Sequence, residues 1–421
     1  MAGESSTIET NQARTFLGIW RSLAPRLTTD RGIAERLNQL LSRNRSFGSR
    51  DRRLYRELTY TAFRYHAWLA GGLRAASGDA LRALAWLAAE VPALKRFKSY
   101  WCEGWPPLPH PLNEKRTVLK SRTGSLDLEA SLVPAWLLQE CPDACQPPLI
   151  DTLHCRSPLW IRVQTAEHAS LREEFHSRGW KVTPSPVLPQ AWRIDASDED
   201  LTGNQSFRNG QFEIQDLGSQ ILAAAPPVRE GTHWLDACAG AGGKTLPLAQ
   251  RVGINGQVTA WDVRETALAE LRTRALRSPF SNIRVAMPDP DAVFDGVFVD
   301  APCSGSGTWR RAPHLKLSTH ESTLREASRT QLQLLSRLAA HVRVQGLLVY
   351  ATCSLCQSEN HRITSQFLER NPRFRRCPLD AGFGYADDPR SGELTISPDV
   401  HDTDGFYLAC LIRHTGPEAS G

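Results

Sequence analysis

Two cysteines and a carboxylate stand at the ends of strand-like runs. In VDAPCSGSGTW, residues 299–309, the apolar run Val297-Phe298-Val299 ends in Asp300, and Cys303 follows three residues later. In LLVYATCS, residues 347–354, a second apolar run ends in Cys353. A thiolate is a strong nucleophile, and an acid beside it can hold or move a proton, so covalent and acid–base chemistry are both open to this set. Taken singly, each cysteine could equally be a small buried hydrophobe closing a strand.

A third constellation lies upstream. Cys238-Ala239-Gly240-Ala241-Gly242-Gly243-Lys244 follows the apolar HWLDAC. Glycines in such a turn let the backbone approach a ligand and present amides at a helix N-terminus. A P-loop needs glycine six residues before its lysine, where this chain has Cys238. The dinucleotide fingerprint begins at Gly240 and Gly242 but meets Thr245 at its third position. Asp262, about 20 residues on, still suits a ribose diol. A tight strand-to-helix turn without a ligand is the alternative.

These residues need a scaffold, and the chain from 206 onward supplies one. HWLDAC (233–238), QVTAWDV (257–263), IRVAM (283–287), DGVFVDA (295–301), GLLVYATC (346–353) and FYLACLIRH (406–414) read as strands. KTLPLAQRV, RETALAELRTRAL, a helix between Ser318 and His341, and SENHRITSQFLERN separate them. Such alternation predicts βαβ units in a mainly parallel, doubly wound sheet. Ligands bind such sheets outside the carboxyl ends of the strands. Cys238, Asp262, Asp289, Asp300 and Cys353 all fall there, which gathers them into one candidate site.

Residues 130–205 read as a small mixed domain: LEASLVPAWLLQEC as a helix, PLWIRVQT and QAWRIDA as strands, LREEFHSRG as a helix. Residues 14–100 read as helical, with Leu54, Leu58, Ala62, Tyr65 and Leu69 on one stripe of RDRRLYRELTYTAFRYHAWL. The Pro-rich WCEGWPPLPHPLNEK is expected to end that bundle. Domains are thus expected at 1–128, 129–205 and 206–421.

The bulk numbers agree with several domains. The chain has 421 residues, more than one compact core accommodates. Residues 1–130 hold 21 Lys and Arg against 12 Asp and Glu, whereas the rest holds 29 against 33. That asymmetry suggests a polyanion such as nucleic acid, or merely a solvated arginine-rich surface. The polar start MAGESSTIETNQAR has no apolar core of a signal peptide, and no apolar run of membrane-spanning length occurs. A cytoplasmic monomer with reduced thiols is expected for its ten cysteines. Cys353-x-x-Cys356 could serve redox or zinc chemistry, but no second pair has ribbon spacing, and no metal is expected.

The motifs, taken in order, resemble the Nop/Sun family of RNA cytosine-C5 methyltransferases, RsmB-like and of the bacterial 16S rRNA type. LDACAGAGGKT is similar to its first motif, VDAPCSGSGTWRR to its Pro-Cys motif, YATCSLCQSEN to its Thr-Cys-Ser motif, and HDTDGFYLACLIR to its closing motif. NGQFEIQDLGSQ resembles the segment before the first motif, and GSRDRRLYRELTYTAFRYHAWL a NusB-like RNA-binding domain. The resemblance implies a Rossmann-like class I methyltransferase domain with a mainly parallel seven-stranded sheet, preceded by a small α+β domain and an all-α NusB-like domain. It implies S-adenosylmethionine held by residues 238–244, Asp262, Asp289 and Asp300, with Asp291 the alternative to Asp289. It implies Cys353 as the nucleophile toward cytosine C6, Cys303 as the thiol that assists product release, and Asp300 as a partner of the base. The implied substrate is RNA, with unassembled 16S rRNA first and tRNA as the alternative. A P-loop-type hydrolase and an inactive RNA-binding assembly factor are the competing readings. Ala241 stands where the family carries proline, and APHLKLS after Arg311 lacks the family's tryptophan.

Overall fold

The computed structural model describes residues 7–195 and 201–415. The first six residues of the polar N-terminal stretch lie outside them. The chain divides into two compact units: one of residues 1–156 with 308–320, the other of residues 157–307 with 321–421. These limits do not coincide with the expected boundaries at 128 and 205. Among the described residues, no helix is long and apolar enough to cross a membrane.

The first unit is helical. Ile8–Leu23, Ile33–Arg43, Ser49–Arg64, His66–Arg74, Gly78–Leu87, Lys95–Trp101 and Leu112–Arg122 surround a core that includes Phe16, Trp20, Leu37, Leu58, Phe63, Leu84 and Phe97. The periodic stripe of residues 50–69 forms two helices rather than one. They break at Tyr65 (φ −107°, ψ 30°), whose hydroxyl donates to His154 O at 2.9 Å. The Pro-rich segment does not end the bundle: Leu112 and Leu119 of the next helix enter the same core. Only Leu137–Glu140 of LEASLVPAWLLQEC forms an α-helix, because Pro134 lacks the donor N–H that a longer helix needs.

The second unit carries two sheets. The smaller contains β1 (Leu159–Val163), β2 (Lys181–Pro184), β3 (Ala191–Asp195) and β4 (Phe212–Ile214), all antiparallel, in the order β2-β3-β1-β4. Helix His168–Ser177 covers it through Leu171 and Phe175, against Ile161, Trp192 and Phe212.

The larger sheet has eight strands rather than seven. These are β5 (His233–Asp236), β6 (Gln257–Ala260), β7 (Ile283–Val285), β8 (Phe294–Asp300), β9 (Val342–Thr352), β10 (Phe374–Arg376), β11 (Glu393–Ile396) and β12 (Phe406–Arg413). Their order is β10-β12-β9-β8-β5-β6-β7, with β11 also paired to β12. β7, β6, β5, β8 and β9 run parallel, while β12 joins β9 antiparallel. Each central strand feeds alternate residues to two cores. Trp234, Phe298, Val349 and Ala351 enter one face; Leu235, Val297, Val299, Leu348 and Tyr350 enter the other. Burial on both faces is why these strands read as continuous apolar runs. The strand order reverses between β5 and β8, and that switch point is where α/β sheets open a crevice.

Candidate functional site

The turn after β5 is shaped by close packing. Gly242 has φ +90°, and a Cβ there would lie 2.3 Å from Leu271 Cδ1. Glycine thus lets helix Glu265–Arg277 seat directly on the turn. Gly240 N–H donates to Asp262 Oδ2 at 2.9 Å, tying the turn to the segment after β6. Asp262 also accepts from Arg264 N and Nε at 2.9 Å and from Nη2 at 3.0 Å. Burial alone would raise its pKa, but the bonds from Arg264 and Gly240 outweigh it and hold the carboxyl below its ordinary range.

Asp236, the last residue of β5, was not singled out from sequence. It is fully buried, accepts Thr245 Oγ1 at 2.7 Å with one oxygen and has no partner for the other. Burial, chiefly, pushes its pKa up to about 7. Burial also pushes the Cys238 thiol up, which leaves it a poor nucleophile at neutral pH. Asp289 stands exposed beyond β7, where its carboxylate accepts Asp291 N–H at 3.0 Å.

Across the switch point, Lys244 Nζ donates to Asp300 Oδ2 at 3.0 Å and to Ser219 Oγ at 2.9 Å. Lys244 is buried, so its ion pair with Asp300 orients both groups rather than decorating a surface. Gln215 donates to Gly243 O at 2.7 Å and accepts from Arg162 Nε at 2.9 Å, bracing the turn from behind. Asp216 caps helix Leu217–Ala224 and accepts Thr403 Oγ1 at 2.6 Å.

The two thiols of the opening motifs meet. Cys303 Sγ and Cys353 Sγ are 3.3 Å apart, far beyond a disulfide bond length, and both cysteines are half-buried. Cys303 is held well above the ordinary thiol range, first by its hydrogen bond to Cys353 and then by burial. Gly307 locks the two loops: its N–H donates to Cys353 O at 3.0 Å, and its carbonyl accepts Gly405 N–H at 2.8 Å. A Cβ on Gly307 would lie 2.0 Å from Gly405 O. Cys356 is buried with its sulfur 3.5 Å from Ser306 Oγ.

The structure therefore unites the cysteines through one contact, Lys244 with Asp300 through a second, and the glycine turn with Asp262 through a third. Asp289 makes none of these contacts. Sequence reasoning missed Asp236, Ser219, Gln331 and Glu359. The visible trace of the last was a serine after each cysteine and the paired Glu359-Asn360 downstream. Arg310 and Arg311 diverge. Arg310 is buried in the helical unit, donating to Arg156 O at 3.1 Å, whereas Arg311 is exposed.

The family model for the 16S rRNA methyltransferases RsmB/F matches residues 223–412, a span containing every one of these contacts except those of Ser219, Gln215, Asp216 and Arg310 with residues before 223. Over that span the chain is similar to this family. A ribosomal RNA small subunit methyltransferase B of Escherichia fergusonii is 30% identical over 297 residues, covering 67% of this chain and 66% of that protein. A probable one of Bacillus subtilis is 29% identical over 303 residues with the same coverage. The matched part thus spans a little under two thirds of these relatives. The crystal structure of PH0851 matches at TM-score 0.70 and 21% identity, over 96% of this chain and 98% of its own. NSun6 from Pyrococcus horikoshii with SFG matches at TM-score 0.56 and 18% identity, over 63% of this chain and 94% of its own. These likenesses establish the shared fold. The matched 223–412 span begins just before β5 and ends in β12, so it holds both the glycine turn and the two thiol loops.

Proposed function

We propose that this protein transfers a methyl group from S-adenosylmethionine to C5 of a cytosine in 16S rRNA through a covalent cysteine–C6 adduct. The 3.3 Å approach of Cys303 and Cys353 carries the reading, because methylation at C5 needs one thiol to add and another group to help undo the addition. Support for the RNA class comes from the family and from the names of its curated relatives.

The residues after β5 fit the nucleoside part of S-adenosylmethionine. The turn is stripped of side-chain bulk at Gly240, Gly242 and Gly243, and Asp262 stands at the next strand end to accept a diol. The Arg264 side chain that now shares Asp262 is 65% exposed, so solvent can take over its charge when a ligand displaces it. Residues 238–244 and Asp262 would hold the group, with Asp289 the candidate at its adenine end. Bound there, it supplies an electrophilic methyl.

The chain's own residues do the rest. The Cys353 thiolate adds to C6, and the electron pair of the C5–C6 double bond moves toward C5 and the ring carbonyl. Asp300, oriented by Lys244, hydrogen-bonds the base edge at N3 and N4 where charge changes during addition. After methylation the C5 proton leaves to solvent, the double bond re-forms and the Cys353 thiolate is expelled. Cys303 assists this second half. The hydrogen bond between Cys303 and Cys353, together with burial, holds the Cys303 proton in place in the resting site. The cytosine must be unpaired or flipped out for either thiol to reach it, and the basic helical unit supplies phosphate contacts.

A denaturation-resistant protein–RNA species in Cys303→Ala cells, lost in the Cys303→Ala/Cys353→Ala double variant and carrying a 16S fragment, is the expected result. Accumulation in a Cys353 variant instead would reverse the two roles. Absence of any adduct, with no methyl transfer by the wild type, would favour an RNA-binding assembly factor.

A further inference from the structure

Glu359 is a fully buried carboxylate in the turn before helix His361–Arg370. A buried carboxylate is costly unless donors saturate it, and here four do. Oε1 accepts Ser304 N–H at 2.8 Å and Gln331 Nε2 at 3.1 Å. Oε2 accepts Ser304 Oγ at 2.5 Å and Ser354 Oγ at 2.6 Å. None of these donors is charged. Ser304 directly follows Cys303, and Ser354 directly follows Cys353. One carboxylate therefore grips the residue after each thiol, and helix Glu321–Leu338 holds the carboxylate through Gln331. Asn360 continues the clamp, donating to Ser354 O at 2.8 Å and accepting Thr352 Oγ1 at 2.6 Å. Tyr350 Oη donates to the Glu359 carbonyl at 2.5 Å, seating the turn on β9.

We propose that Glu359 is a positioning residue for both thiols: through Ser304 and Ser354 it fixes one cysteine against the other and makes the two inequivalent. It touches neither sulfur through a hydrogen bond. The inference deepens the thiol assignment above and rests on it only for its catalytic meaning. Cys353 and Glu359 push the Cys303 pKa up while the Gly305 backbone hydrogen bond lowers it, and Cys303, Glu359 and Tyr407 act on Tyr350. After the bond to Cys353 and burial, the Glu359 charge is a further cause that keeps the Cys303 proton in place.

The test needs neither RNA nor S-adenosylmethionine. Alkylation of each thiol by iodoacetamide is followed by mass spectrometry from neutral to alkaline pH in the full-length protein. Glu359→Gln is expected to raise Cys303 alkylation at neutral pH, because the Glu359 charge is one of the causes that hold the Cys303 proton in place. An unchanged Cys303 profile in a folded Glu359→Gln protein overturns the proposal. Should that variant not fold, Ser354→Ala carries the test, since it removes one hydroxyl and leaves the carboxylate in place. Diamide oxidation of the Cys303–Cys353 pair is then expected to slow several-fold, and an unchanged rate overturns the tie. A wild type that methylates no RNA would defeat the proposed function without altering either outcome.

Discussion

The two units solve the problem of buried charge in opposite ways. In the second unit the buried acids around the site are Asp236, Asp262 and Glu359; backbone N–H groups, hydroxyls, an amide and the Arg264 guanidinium donate to them, and one Asp236 oxygen has no partner. In the first most buried charges are bases: Arg64, Lys115, Arg310 and Lys316 are buried, against the acids Glu9 and Asp151. Main-chain carbonyls take up these bases. Lys316 Nζ donates to Arg64 O at 2.8 Å, Arg64 Nη2 to Arg310 O at 2.7 Å, and Lys115 Nζ to His110 O at 2.8 Å. His154 Nε2 lies 3.1 Å from Lys316 Nζ. Burial pushes Lys316 down to about 7 and His154 well below its usual range. Carbonyls orient a cation without neutralising it, so burial lowers the pKa of Lys316. Donors around a carboxylate let it remain charged and serve as a fixed point, which suits loops that must hold two sulfurs in contact.

The sharpest way to break this contrast is chemical. Cys353→Ser is expected to lower methyl transfer by about 10³-fold or more, whereas Lys316→Met leaves the single-turnover rate within about threefold. A comparable loss in both variants would make the helical knot part of the chemistry. Core deletions come next in size. Leu58→Ala in the first unit and Leu348→Ala in the second are each expected to cost about 2–5 kcal/mol, since both side chains are fully buried. Chemical denaturation followed by hydrogen exchange should show each loss within its own unit; a shared loss means that the two units unfold together.

The pH dependences should have opposite signs. Asp236 has a raised folded pKa, so its contribution is present at low pH and is lost as pH rises from about 4 to about 7. Lys316 has a lowered one, so the folded state binds fewer protons than the unfolded and stability rises from about 7 to about 10.5. Each slope is at most about 1.4 kcal/mol per pH unit. Asp236→Asn should flatten the first and Lys316→Met the second in thermal melts; a slope unchanged by its substitution removes that residue as the cause. The smallest effect is at the glycine turn after β5. Restoring the family proline with Ala241→Pro is expected to stabilise by about 0.5 kcal/mol by restricting the unfolded chain. A lowered melting temperature would mean that the turn cannot take the proline φ.

Much of the large sheet was legible because its strands are buried on both faces and break at glycine- and proline-rich turns. β5, β6, β8, β9 and β12 stand where their apolar runs predict them. β4 and β10 have three residues each, too few to show a period, and β11 is defined by its pairing with β12. The thiols, the glycine turn, Asp262 and Asp300 could be found by type and spacing. Glu359 could not, because an acid in a polar loop reads as solvated, and only the fold brings Ser304, Ser354 and Gln331 onto it. Arg310 reads as either an RNA-phosphate contact or a surface charge, and only the fold shows that it is buried. The membership of residues 308–320 in the helical unit has no sequence signature, since that segment continues directly from the Cys303 loop.

By itself, then, the amino-acid order determined a mainly parallel α/β sheet and which residues stand at the strand ends, because local periodicity and turn chemistry encode both. Tertiary structure alone decided that the two sulfurs lie 3.3 Å apart, that one buried acid serves both their loops, and which charges are buried, because long-range packing sets separation and desolvation.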